Sequence, residues 1–407
     1  MRLRFGAFLA PHHPMGESPT LQIQRDLELV ELLDKVGFDE FWCGEHHSTG
    51  WEMIASPEMF LAAAAMRTER IKLGTGVVSL PYHHPFNVAQ RIVQLDHMSF
   101  GRALFGTGPG ALPSDAHTLG VDPLVIRDRQ DEAIGVIKRL LAGEQRFSYE
   151  CEWFTLNDAA LQILPYQAEI PMAAASMVSP SGMTLAGKYG MGVLSIGSMS
   201  TEGLASLPLQ WSFAEEAAAE HGQVVDRNEW RVMFNFHLAP TKDQARREVE
   251  HGLLEWHNEY NVGTLMRPGL PALGSTAEAI EFYSEGDASA GVIGTPDELV
   301  ERIHDMYEVT GGFGVVMGFV NDWANPEATR RSWDLVARHV IPEVNGALGP
   351  MRASNTFVRQ NREYFERAGK AILDKIMDND RAAAAFRETG VGAAPLAHSS
   401  PGEADDA

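Results

Sequence analysis

The sequence predicts an α/β fold: a (β/α)8 TIM barrel with an inserted loop region before the last strand and a C-terminal helical extension. Short apolar strands alternate with longer helical patterns from the first residues onward. The strand–helix unit recurs at intervals of about 30 to 45 residues, through eight strands, which suits a closed parallel barrel. Proline and glycine punctuate the units as helix starts and stops. A doubly wound open sheet is the alternative arrangement of the same units.

Residues 3–9 read as a buried strand, followed by a helix through Leu27, Val30, Leu33 and Val36 that Gly37 ends. A second strand covers 38–43, Pro57 opens a helix to Ala65, and 71–78 is a third strand rich in β-branched residues. Pro85 opens the next helix, and the fourth strand starts at 103–106. A helix over 126–141 precedes an irregular excursion around Trp153 and Phe154. Strands follow at 170–175, 193–196 and 232–238, and the last, at 315–319, comes after a helix opened by Gly294-Thr295-Pro296. Residues 261–292, rich in Gly, Pro and Ala, read as an inserted lid or crossing loop inside a barrel spanning 1–350. A helical extension covers 351–389, and 390–407 reads as a disordered tail with too little apolar content to pack.

Composition narrows the functions. At 44% hydrophobic and 22% charged, the chain has the make-up of a soluble globular protein. A formal charge of −22 repels phosphate backbones and no basic stripe offsets it, so nucleic acid is not an expected partner. Two cysteines, Cys43 and Cys151, exclude a disulfide framework. No apolar run approaches the roughly 20 residues of a membrane-spanning helix. The N-terminal run is broken by Pro11, so the protein is expected to be cytoplasmic with no membrane contact.

Barrel enzymes react at the C-terminal ends of their strands. Histidine pairs fall there after strands one, two and three: His12-His13, His46-His47 and His83-His84. Neighbouring residues point to opposite sides, so each pair offers one ring to the mouth, and capping or loop anchoring is the alternative role for any one of them. A metal shell needs carboxylates at further strand ends, and only Glu45 stands beside these rings, so no metal is expected. Residues 106–110, Gly-Thr-Gly-Pro-Gly, are no dinucleotide fingerprint, because the third glycine is misplaced and Pro113 is expected to prevent a helix opening there. Gly108 instead lets a flat ligand approach the backbone. Ser176, Ser179, Ser181 and Gly182, at the start of the helix after strand five, read as a phosphate cradle, with simple N-capping as the alternative.

On these residues the chain resembles the bacterial luciferase-like flavin monooxygenases. The resemblance runs through Phe5-Gly6, Gly37-Phe38-Asp39, Trp42, Glu45-His46-His47, Gly74-Thr75, Leu80-Pro81, His84-Pro85, 95–99 and Gly101-Arg102, and returns at Gly294-Thr295-Pro296 and Thr310-Gly311. It covers residues 1 to about 345, and its detail, EHHSTGWEMIASPE and GPGALPSDA among it, looks like the limonene 1,2-monooxygenase branch. The resemblance implies a barrel that binds reduced flavin at its C-terminal face, with His46 as the catalytic proton manager. It further implies a non-proline cis peptide at Gly76–Val77 beneath the flavin ring. Oxygen would be inserted through a C4a-(hydro)peroxyflavin into a small apolar substrate, with terpene epoxidation as one outcome. Reduced flavin would come from a separate NAD(P)H-dependent reductase, and a homodimer is the family habit. Two departures leave FMN and FAD both open: Pro109 stands where luciferase has an arginine, and Ala175 where it has an acid. His12, Trp51, Met53, Tyr82, His84 and Phe86 are expected to wall the substrate pocket, and Asp96 with Arg102 to form a turn cap and ion pair. A deazaflavin-dependent dehydrogenase and a non-catalytic partner subunit are the competing readings of the same barrel.

Overall fold

A computed structural model describes residues 2–199, 201–267, 269–285, 289 and 291–388. The chain divides into two compact units, 1–346 and 347–407. The first is a closed barrel of eight parallel strands: β1 (Arg4–Leu9), β2 (Glu40–Cys43), β3 (Lys72–Thr75), β4 (Ala103–Gly108), β5 (Met172–Ser176), β6 (Gly192–Ser195), β7 (Trp230–Leu238) and β8 (Val315–Phe319). Each strand pairs with the next in sequence, and β8 closes on β1 through Phe5 against Val316.

Alternation along the strands builds two apolar layers. Phe5, Ala7 and Leu9 of β1 face the helices, while Phe8 joins Trp42, Leu104, Ala173, Leu194 and Met233 inside the barrel. Gly74 is forced by this filling, since a Cβ there would lie 2.4 Å from the Trp42 ring. Near the N-terminal end of the strands Arg231 and Glu40, both almost fully buried, pair through Nε at 2.6 Å, and Arg4 adds a bond to Glu40 at 2.9 Å. The Trp42 indole N–H donates to the same carboxylate at 2.9 Å.

Prolines open the helices Pro19–Val36, Pro57–Ala65, Pro85–Met98, Pro296–Thr310 and Pro326–Leu335 within their first turn. Gly37 and Gly311 end two of them in the left-handed conformation. Thr295 and Glu298 form a reciprocal capping box.

Four local readings are corrected. The expected third strand, 71–78, stops at Thr75 because Gly76–Val77 is a cis peptide; Val78–Ser79 then pairs separately with β4. The excursion around Trp153 is an antiparallel hairpin, Phe147–Glu150 with Thr155–Ala159. Pro113 does not block a helix but starts one, Pro113–Thr118, where its missing N–H costs nothing. Asp96 and Arg102 do not pair: Asp96 accepts from Gln167, and the Arg102 guanidinium donates to Thr68 and to the carbonyls of Ala65, Thr68, Ile71 and Ser99.

The segment read as an insert carries structure of its own: the end of a π-type helix, Trp256–Thr264, then the helix Thr276–Ser284 and the strand Gly291–Gly294, which pairs with β7. The second unit contains helices Gly349–Gln360, Arg362–Met377 and Asp380–Glu388, with Ala383 buried. The expected tail, 390–407, lies outside the described residues, as does residue 389. Among the described residues no helix is long and apolar enough to cross a membrane.

Candidate active site

A cavity of about 960 Å³ opens at the C-terminal ends of the strands and runs outward between the helices Ile126–Leu141 and Ser181–Tyr189. Its inner end is walled by Phe8, Ala10, Val77, Ile196, Leu265 and Phe319, with the Phe8 and Phe319 rings stacked at 5.9 Å. Of the six paired histidines only His46 reaches this wall.

His46 follows β2, held by its backbone N–H on Ile54 O at 3.1 Å. Its Nδ1 donates to Asp115 Oδ2 at 3.1 Å, and Glu52 Oε2 lies 3.3 Å from the same nitrogen. Burial opposes charge on this ring, but the Glu52 charge and the Asp115 hydrogen bond outweigh it and raise its pKa. Asp115 is presented by the short helix that Pro113 opens and is fixed through Oδ1 by the Ser48 hydroxyl and the His47 N–H. Glu52 accepts the Tyr260 hydroxyl on Oε1, and its Oε2 has no hydrogen-bond partner although buried. Burial lifts the Glu52 carboxyl above its usual range.

The other five paired histidines are engaged in contacts within the protein. His12 is buried at 2% exposure; it accepts the Trp256 indole N–H on Nε2 at 2.7 Å, so Nδ1 donates to Ala10 O at 2.8 Å. Burial, then the neighbouring His13, push it down to about 3, so it stays neutral and cannot supply a proton. His13 bridges Asp26 at 2.9 Å and Asp322 at 2.6 Å. His47 and His83 both donate from Nε2 to Glu45 Oε1, at 2.9 and 2.8 Å, while Ser79 N–H holds Oε2. Burial alone would raise Glu45, but these bonds hold it ionised, at about 2. Among the described residues this trio is the one group whose ligand atoms gather closely enough for a metal ion. The hydrogen bonds already account for it. His84 caps the helix Pro85–Met98 by accepting from Phe86 N–H and packs edge-on against Phe154.

The residues expected to wall the substrate pocket lie off this cavity. His12, Trp51, Met53, Tyr82, His84 and Phe86 do not line the cavity. Trp51 is 2% exposed beside Tyr260, and Phe86 packs into the layer between strands and helices. Tyr82 backs Gly110, where a Cβ would lie 2.3 Å from its hydroxyl.

Gly76, Val77 and Gly108 lie on the wall together, and a Cβ on Gly108 would meet Val77 Cγ2 at 2.4 Å. At the outer end Ser179, Ser181 and Gly182 line the cavity at the start of the helix Ser181–Tyr189. Ser176 does not: its hydroxyl turns inward to Gln210 Oε1 at 3.3 Å. Missing from the sequence reading are Glu52, Asp115, Tyr260, Arg127 and Arg267. Arg127 and Arg267 both line the cavity, and among the described residues neither side chain makes a hydrogen bond or ion pair.

A closed parallel barrel with a histidine and a cis peptide at its mouth and a serine-rich helix start beyond defines a class, and sequence comparison agrees. Residues 3–312 match the luciferase-like monooxygenase family, and the chain belongs to it. It is 49% identical to limonene 1,2-monooxygenase of Rhodococcus erythropolis over 94% of this chain and 97% of that protein. It is 47% identical to 4-hydroxyprotoasukamycin monooxygenase of Streptomyces nodosus subsp. asukaensis, over 88% and 97% of the two chains. The FMN complex of the oxygenating constituent of 3,6-diketocamphane monooxygenase from Pseudomonas putida, a type II Baeyer–Villiger enzyme, superposes with a TM-score of 0.71. That match has 25% identity and covers 84% and 99% of the two chains. The chain is a monooxygenase of this flavin-dependent family.

Proposed function

We propose that the cavity binds reduced FMN and that the enzyme inserts one atom of O2 into a small, largely apolar organic molecule. The carrying observation is that His46, the cis Gly76–Val77 peptide and the Ser179–Gly182 helix start share one cavity. The volume suits a flat cofactor with a small co-substrate. Gly108 and Gly76 leave room for the side chains of Val77 and Phe8, which give the cavity an apolar wall suited to a planar ring. The backbone N–H groups at Ser181 and Gly182, with both serine hydroxyls, suit a phosphate at a helix N-terminus. Arg127, without a side-chain partner among the described residues, sits at the start of the facing helix and supplies the cation that Pro109 cannot. The FMN in the diketocamphane relative supports FMN over FAD.

Bound reduced flavin supplies the electrons that activate O2. Glu52 and Asp115 strengthen the hold of His46 on a proton, which the ring would present at the inner wall. The stacked Phe8 and Phe319 with Ile196 and Leu265 exclude water there. The reductant comes from a separate NAD(P)H-dependent flavin reductase, a reading supported by a 25% identical relative described as the oxygenase component of a trigonelline monooxygenase. A homodimer and a cytoplasmic location belong to the same proposal. Both 47–49% identical relatives being monooxygenases favours oxygen insertion over deazaflavin-dependent hydride transfer. The test is rapid mixing of the protein and reduced FMN with oxygen and a terpene panel. Wild-type protein gives oxygenated product, and His46→Ala retains FMN affinity within a few-fold but releases hydrogen peroxide. Coupled turnover by His46→Ala, or absence of FMN binding, overturns the reading.

A further inference from the structure

The inner wall is not uniformly apolar. Glu52 Oε2 is buried and accepts no hydrogen bond, facing His46 Nδ1 at 3.3 Å, and Glu52 lines the cavity. The neighbouring groups do not satisfy it: Tyr260 occupies Oε1, Thr49 accepts from the Glu52 backbone N–H, and the His46 Nδ1–H is directed at Asp115. Arg267, half-buried on the same wall, is close enough to influence the charge on Glu52 and Tyr260, yet no carboxylate among the described residues pairs with it. A hydrogen-bonding donor and an oxygen that accepts no hydrogen bond thus share a cavity with Phe8, Ile196, Leu265 and Phe319.

Resting on the function proposed above, we infer that the substrate is an oxygen-bearing apolar molecule, a ketone, phenol or alcohol on a hydrocarbon skeleton, whose oxygen is bound by Arg267 and Glu52. The guanidinium donates to a carbonyl or phenolic oxygen, and the carboxyl accepts from a hydroxyl or, when protonated, donates to a carbonyl. A plain hydrocarbon would strip water from both groups and return nothing. Sites built to hydrogen-bond an oxygen reject the analogue that lacks it far more strongly than apolar pockets separate hydrocarbons by size.

Limonene and carvone share one carbon skeleton as hydrocarbon and ketone, and carvacrol carries the same skeleton as an aromatic phenol. Calorimetric titration of all three is carried out on the full chain, with and without FMN. The ketone or the phenol binds about 10- to 100-fold tighter than limonene. Arg267→Met and Glu52→Gln each bring the oxygenated ligands to within a few-fold of limonene, and Arg267→Met leaves limonene affinity and the FMN dissociation constant unchanged. Equal binding of all three ligands to the wild type overturns the inference, as does parallel weakening of limonene in Arg267→Met. Weakened FMN binding in Arg267→Met assigns that residue to the cofactor and also overturns it. Failure to bind FMN at all is a separate result: it removes the flavin reading, while the comparison of the three ligands still decides the substrate class.

Discussion

Asp115→Asn tests whether the helix opened by Pro113 sets the charge on His46. In the wild type Asp115 Oδ2 takes the Nδ1–H at 3.1 Å, while Oδ1 takes the Ser48 hydroxyl and the His47 N–H. An asparagine oxygen can keep the Oδ1 contacts, so its NH2 is left facing Nδ1–H, donor against donor. The ring loses one charge-assisted bond, a loss of about 1.5–3 kcal/mol, equivalent to roughly one to two pH units. Glu52 remains 3.3 Å away, so the lower end of that range is expected. The assay is an NMR titration of His46 in the protein without flavin, read beside the pH profile of oxygenation. Both move to lower pH by about one unit. An unmoved His46 titration with an intact fold refutes the claim that Asp115 charges the ring.

Three further outcomes follow from the same geometry. His13, raised to about 9 despite burial by its bonds to Asp26 and Asp322, binds its proton more tightly folded than unfolded. Its contribution is complete below pH 6.5 and lost as pH rises through 9, up to about 3 kcal/mol less whatever burial of Asp26 takes back; urea melts from pH 6 to 9.5 show the decline in wild type and a flatter profile in His13→Gln. Arg231→Met strands Glu40 with Arg4 as its remaining cation, costing about 3–5 kcal/mol in chemical denaturation, and Arg231→Met with Glu40→Gln recovers part of it. Gly182→Ala places a Cβ 2.2 Å from Ala175 O, which forces the helix start away from β5; fluorescence titration is expected to show FMN affinity falling more than about tenfold and riboflavin affinity changing little.

The eight strands were legible because each is a short apolar run ended by Gly, Pro or a helix start, and such runs have few ways to fold. The cis peptide followed from the family resemblance at Gly76–Val77, as did His46. Misreadings came where one local rule competes with another. Proline breaks a helix in its interior, yet at the first turn, where Pro113 sits, it favours one. The strand Gly291–Gly294 is too short to stand out from its glycine-rich surroundings.

The acids around His46 were hidden for a different reason. Glu52 is six residues from His46, Asp115 is 69 residues away and Tyr260 is 208 residues from Glu52, so no spacing along the chain marks the cluster. Composition points the wrong way as well: in a chain of net charge −22 an additional acid reads as solvated surface. The signal that separates these acids from the rest is burial, 6% exposure for Glu52 and 2% for Asp115, which only the closed barrel and the helix Trp256–Thr264 create. The same closure decides the histidines. Each pair follows a strand end, but His12 is sealed beneath Trp256 and Tyr260, and His83 is spent on Glu45. His46 alone among the six is left with both an acid partner and a cavity wall, and that combination, rather than the imidazole itself, supports the proton-holding role proposed for it.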